Sequence, residues 1–89
     1  MNMRAREMLN KLKWHPDYEA RNYTVVYLHR GAPRNERSIA FEDIDELCTS
    51  DFRIIREDGL ESYIPYHRVL RIEGPAGEVV WRKRRSKGT

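Results

Sequence analysis

Phe52-Arg53-Ile54-Ile55-Arg56 and Leu60-Glu61-Ser62-Tyr63-Ile64 flank the pair Asp58-Gly59. Both runs are rich in β-branched and aromatic residues, and Asp-Gly adopts positive φ readily, so the segment reads as a β-hairpin closed by a tight turn. Pro65 has no N–H to give to a ladder and marks a bend or a strand end. Residues 67–72 resume an extended alternation. Gly74-Pro75-Ala76-Gly77 then turns the chain into Val79-Val80-Trp81, so the second half is a run of hairpin-linked strands.

Upstream the period changes. Ala5, Met8, Leu9 and Leu12 fall at i, i+3, i+4 and i+7, one stripe of an α-helix, and Pro16 ends that helix near Trp14. A polar loop over residues 17–22 follows. Tyr23-Thr24-Val25-Val26-Tyr27-Leu28-His29 predicts a strand buried at least in part on both faces, broken by Gly31-Ala32-Pro33-Arg34-Asn35. Residues 38–41 predict a short strand. Glu42-Asp43-Ile44-Asp45-Glu46-Leu47-Cys48 has the spacing of a short second helix, with acids suited to its first turn. The expectation is an α+β domain: an antiparallel sheet of about five strands, with the N-terminal helix and the short second helix packed on one face. Residues 1–82 are expected to form this single domain, and residues 83–89 a basic tail that stays disordered without a partner.

With 89 residues, 39% of them hydrophobic, the chain can bury one thin core. No stretch approaches the roughly 20 apolar residues of a membrane span, and the first 13 residues lack a secretion signal's apolar run, so a cytoplasmic protein is expected. The single cysteine, Cys48, can form neither an intramolecular disulfide nor a zinc site with a second cysteine, and reads as a small buried hydrophobe. The net charge of +3 is uneven: residues 1–81 hold 12 bases against 14 acids, and the surplus lies in Arg82, Lys83, Arg84, Arg85 and Lys87. Within the body, the first 13 residues and residues 21–37 are positive, while acids concentrate between Glu42 and Asp58. That segregation gives two electrostatic sides if folding keeps the blocks apart. Arginine outnumbers lysine 13 to 4, and its planar fork suits phosphate.

The dipeptide His-Arg occurs twice beside a chain break, at His29-Arg30 before Gly31 and at His67-Arg68 after Ile64-Pro65-Tyr66. Imidazole and guanidinium at a strand end are suitable phosphate ligands, because side chains there reach solvent and backbone amides are unpaired. In a regular strand neighbours point to opposite faces, which groups Arg68 with Leu70 and Ile72, and Arg30 with Val26 and Leu28. Each arginine is therefore either a phosphate ligand or a core-edge cation paired with a carboxylate such as Asp43 or Asp51. Two histidines could also serve as general base and general acid in RNA cleavage through a 2',3'-cyclic phosphate. His15 reads as a loop residue. Glu42, Asp43, Asp45 and Glu46 suit a solvated helix face better than a metal site, and nothing calls for a cofactor. Of the aromatic residues, Tyr66 and Trp14 are the candidates for stacking on bases, the rest being needed in the core.

The helix ending Lys13-Trp14, the strand ending Tyr27-Leu28-His29-Arg30-Gly31-Ala32-Pro33, the segment Tyr63-Ile64-Pro65-Tyr66-His67-Arg68-Val69 and the closing Gly77-Glu78-Val79-Val80-Trp81 together resemble a small archaeal family described as the RNA cyclic-group end-recognition domain. The likeness runs from about Met8 to Arg82, and Ile-Pro-Tyr-His-Arg is its most specific part. It implies a stand-alone copy of a domain found elsewhere joined to RNA-processing enzymes, with RNA ends bearing a cyclic phosphate as ligand and such enzymes as further partners. By position it carries His29, Arg30, Tyr66, His67 and Arg68 over as the RNA- and phosphate-binding residues. The basic tail lies outside the family pattern. The expected function is binding of RNA ends without catalysis. The alternatives are a cyclic phosphodiesterase or ribonuclease using His29 and His67, or a protein-interaction module using the acidic face or a strand edge.

Overall fold

Ala5, Met8, Leu9 and Leu12 are the buried residues of helix α1, Ala5–Trp14, as their spacing requires. The computed structural model describes residues 4–15, 22–56 and 58–83. Most of the expected 17–22 loop and all but the first residue of the 83–89 tail lie outside them. Seven strands follow the helix: β1 Thr24–Leu28, β2 Glu36–Ala40, β3 Ile44–Leu47, β4 Asp51–Ile55, β5 Glu61–Pro65, β6 Val69–Glu73 and β7 Val79–Arg82. Among the described residues no helix is long and apolar enough to cross a membrane.

The hairpin forms where Asp58-Gly59 places it. Phe52 faces Ile64 and Ile54 faces Ser62 across β4 and β5. Arg56 donates its N–H to the Leu60 carbonyl at 2.8 Å, the Asp58 carboxylate accepts the Leu60 N–H at 3.0 Å, and Gly59 takes the left-handed φ of +85° that closes the loop.

Two expectations are corrected. The strands form two antiparallel sheets, ordered β2-β1-β6-β7 and β3-β4-β5, in place of one sheet of about five. The switch occurs after Pro65, where a single 3₁₀ turn, Tyr66–Arg68, carries the chain from β5 to β6, which then pairs with β1. A proline at the end of β5 cannot extend the ladder, so the bend falls there. The second helix is likewise replaced, by a 3₁₀ turn at Phe41–Asp43 and by strand β3. Seven residues cannot repay the cost of nucleating a helix, whereas β4 offers backbone partners at once. A register shift between Ile44 and Glu46 lets Ile44 and Leu47 both reach the core, which imitates helical spacing.

The core joins the helix stripe to Val25, Val69 and Ile72 of the four-stranded sheet and to Phe52 and Ile54 of the three-stranded one. Leu9, Val25, Phe52, Val69 and Ile72 are wholly excluded from solvent. Val25, Val26 and Tyr27 in succession are buried, so β1 is covered on both faces as its composition predicts.

Candidate anion-binding cleft

Antiparallel pairing fixes which strand ends lie together. Leu28 faces Glu36, Tyr27 faces Val69 and Arg71 faces Arg82. The exits of β1 and β7 and the entries of β2 and β6 therefore share one end of the four-stranded sheet. His29, Arg30 and Arg34 follow β1, His67 and Arg68 precede β6, and Lys83 follows β7, so both His-Arg dipeptides run off that same end. Lys83 is held there by two bonds, its N–H to the Leu70 carbonyl at 2.9 Å and its ammonium to the His67 carbonyl at 2.5 Å.

Beside this end lies a cleft of about 830 Å³. Arg4, Arg6 and Glu7 enter it from the start of α1, and Thr49 and Ser50 from the turn between β3 and β4. The remaining lining comes from Tyr66 and His67 of the 3₁₀ turn, Val69 of β6, and Trp81 and Lys83 at the end of β7. The first-turn amides of any α-helix lack an intrahelical acceptor and carry the positive end of its dipole. Three full positive charges and an imidazole, contributed by segments remote in sequence, thus line one concavity with two hydroxyls.

Tyr66 fastens the cleft together. Its hydroxyl donates to the Cys48 carbonyl at 2.7 Å, its N–H donates to the Ser50 carbonyl at 3.2 Å, and its ring tilts against Phe52 with centroids 5.7 Å apart. Burial pushes its phenol above the usual value, while the neighbouring Arg6 guanidinium pulls in the opposite direction. Glu7 supplies the one carboxylate among the described lining residues, and its Oε1 accepts the Arg4 N–H at 3.0 Å.

The sequence-derived candidates divide. Tyr66 and His67 line the cleft, although Tyr66 is only 9% exposed and offers its ring as a wall rather than a free stacking surface. Arg30 and Arg68 are exposed at the same sheet end outside the cleft lining, and His29 is half-buried there, its ring edge-on to Tyr27 at 6.4 Å. Strand parity does not reach His67 and Arg68, because the 3₁₀ turn leaves both exposed. Neither Arg30 nor Arg68 forms an ion pair with Asp43 or Asp51. Arg71 is instead a paired arginine at the core edge, bonded to Glu36 at 3.1 and 3.2 Å and to Glu73 at 2.9 Å. Trp14 is 73% exposed at the far end of α1, about 10 Å by helix rise from Glu7, the nearest cleft-lining residue of the helix. Of the residues missing from the sequence-derived set, Arg4, Arg6 and Lys83 carried a signal only as charge blocks, Trp81 only as an aromatic residue assigned to the core and as the end of the closing Gly77–Trp81 segment, and Thr49 and Ser50 carried none.

Other polar groups have structural partners. Asp45, Glu46 and Glu61 converge on Arg53, and its hydrogen bonds to Asp45 and Tyr63 raise the guanidinium pKa further. Cys48 is half-buried, and desolvation pushes its thiol up, which disfavours the reactive thiolate.

A helix start, a sheet end and a 3₁₀ turn thus surround a cleft rich in basic side chains in a small α+β domain. The chain belongs to the family described as the MJ1316 RNA cyclic group end recognition domain, which it matches over residues 3–83. Its archaeal relatives include the UPF0248 protein of Thermococcus gammatolerans, 44% identical over 82 residues and 92% of each chain. The UPF0248 protein MMP0286 of Methanococcus maripaludis is 39% identical over 80 residues, 89% of this chain and 97% of the relative. The UPF0248 protein MJ1316 of Methanocaldococcus jannaschii is 38% identical over 80 residues, 89% of this chain and 92% of the relative. No solved structure matches the chain.

Proposed function

We propose that the protein binds the phosphate-bearing end of an RNA strand, with a 2',3'-cyclic phosphate as the end group, and holds it without cleaving it. The observation that carries this reading is the convergence of Arg4, Arg6, His67 and Lys83 on one cleft. Four donors from three remote segments are more than a solvated surface requires, and guanidinium groups present paired N–H donors to phosphate oxygens. The Thr49 and Ser50 hydroxyls can bond the ribose, and Trp81 offers an apolar wall for it. His29, Arg30 and Arg68 at the same sheet end suit the phosphates of preceding nucleotides. In this reading residues 1–82 act as one unit, and the tail adds salt-sensitive attraction without sequence preference. The family description supports RNA ends as the ligand class.

Of the two histidines, His67 alone lines the cleft, so the pair needed for general acid and base catalysis is not assembled around one ligand position. The test is a titration with two RNAs of identical sequence, one ending in a 2',3'-cyclic phosphate and the other in a 3'-hydroxyl, at low and moderate salt. Tighter binding of the cyclic end with no product formed is expected. Equal binding would reduce the protein to a general phosphate binder, turnover would make it an enzyme, and no binding would favour a protein partner.

A further inference from the structure

We propose that the loop between β1 and β2 is a preformed clamp for the backbone of the bound strand, in which Arg34 holds a phosphate about four nucleotides before the end group. The inference deepens the reading above and rests on it.

Arg34 and Asn35 both have the left-handed backbone, at φ +59° and +58°, that residues with a Cβ rarely adopt. The turn accounts for the conformation: Glu36 donates its N–H to the Pro33 carbonyl, closing a two-residue turn of the class that takes positive φ at both central positions. Asn35 is fitted to its place, since asparagine tolerates this region and its Oδ1 accepts the Gly31 N–H at 3.3 Å. Arg34 is not. Glycine would adopt the same backbone without strain. The arginine side chain is exposed and forms no ion pair with a described residue. Glu36, two residues on, has both oxygens bonded to Arg71, so the Arg34 charge reaches it only through space. A long cation kept at a conformational cost, without a bonded partner among the described residues, points to a partner outside the fold.

The loop holds its own shape. His29 donates its N–H to the Asn35 carbonyl at 2.8 Å, Asn35 to the Ala32 carbonyl at 2.8 Å, and Ala32 to the His29 carbonyl at 3.2 Å. Its arginines are thus presented from a fixed frame, and little backbone freedom is lost when a phosphate is bound.

The place of the loop in the sheet sets how far along the strand it reaches. Across the shared end the strands run β2-β1-β6-β7, and the cleft lies on the β6 and β7 side, lined by Val69, Trp81 and Lys83. Moving away from it, Arg68 stands at the entry of β6, Arg30 at the exit of β1, and Arg34 in the turn into β2. Neighbouring strands are about 4.8 Å apart, so β7 to β2 is about 14 Å. At about 3.4 Å per stacked nucleotide, about four nucleotides cover that distance. A strand with its end group in the cleft therefore crosses the sheet end past Arg68 and Arg30 and meets Arg34 last.

Glycine at position 34 relieves the backbone and removes the charge in one step, so it separates a ligand from a structural residue. Two RNAs ending in a 2',3'-cyclic phosphate, one of two nucleotides and one of six, are titrated against wild type, Arg34→Gly and Arg34→Lys at several salt concentrations. Each protein is also melted. Arg34→Gly is expected to melt about 4 °C above wild type. It should bind the dinucleotide as wild type does and the longer RNA about fivefold more weakly, with the slope of log affinity against log salt lower by about 0.7. Arg34→Lys retains the charge and should retain that slope.

An unchanged affinity and slope for the longer RNA in Arg34→Gly would overturn the inference and leave the end-binding reading intact. An equal loss for both lengths would also overturn it, by removing the dependence on distance from the end. So would a lower melting temperature in Arg34→Gly, which would give the side chain a duty in the fold. Failure of wild type to bind either RNA would remove the end-binding reading itself, and the inference with it.

Discussion

Replacing Tyr66 by phenylalanine removes a single oxygen from a ring that is 91% buried, and it asks whether that residue is the fastener of the cleft or one of its ligands. The hydroxyl spans from the 3₁₀ turn after β5 to the Cys48 carbonyl at the end of β3, at 2.7 Å. Losing such a bond costs about 1 kcal/mol net, and about 2 kcal/mol if the abandoned carbonyl finds no water. In a chain of this size each 1 kcal/mol lowers the melting temperature by about 4–8 °C. The ring contact with Phe52 and the backbone bond to Ser50 survive the substitution, so the fold is retained. Thermal and urea unfolding at pH 7 measure the loss. The phenol adds a dependence on pH. Burial raises its folded pKa above the unfolded value of about 10, so the stability tied to it is complete below that value and is lost as pH climbs through the folded one. Tyr66→Phe should lack that alkaline loss. A variant that melts with wild type would refute the anchoring argument. Unchanged melting with abolished RNA binding would mean that the hydroxyl meets the RNA instead of Cys48.

Arg68→Ala should leave the melting temperature within the roughly 0.5 kcal/mol scatter of surface substitutions, because Arg68 is exposed and makes no ion pair with a described residue. It should lower the slope of log affinity for single-stranded RNA against log salt by about 0.7 if it contacts one phosphate; a fall in stability with the slope intact would make it structural. Glu36→Gln probes the Arg71 cluster: the hydrogen bonds from Arg71 hold the Glu36 carboxyl below the usual range. That stability is present above the ordinary carboxylate value and disappears as pH falls through the folded one. The urea midpoints of wild type and variant should therefore differ at pH 7 and draw together as pH falls below the ordinary carboxylate value, and a gap of constant size across the acid range would count against the pairing.

Local signals carried most of the elements. Asp58-Gly59 marked a hairpin because positive φ is a property of two residues, and the stripe from Ala5 to Leu12 marked α1 because a helix closes its own hydrogen bonds. Residues 42–48 misled for a physical reason. A bulge in β3 brings Ile44 and Leu47 to one face, and a bulged strand of four residues shows the same i, i+3 pattern as a helical turn. The parity argument for Arg68 failed at Tyr66–Arg68, where the strand had already given way to a 3₁₀ turn.

From the sequence alone came the family likeness, the α+β class, the two His-Arg dipeptides and the chain breaks beside them, since each depends on residues a few positions apart. Only the tertiary structure decided that β6 pairs with β1 rather than with β5, and with it that both dipeptides and Lys83 share one sheet end. It also decided that Arg4, Arg6 and Glu7, some sixty residues from His67 in the chain, face it across a cleft. Strand partners are chosen by which apolar faces bury each other best over the whole chain, and no local period records that choice.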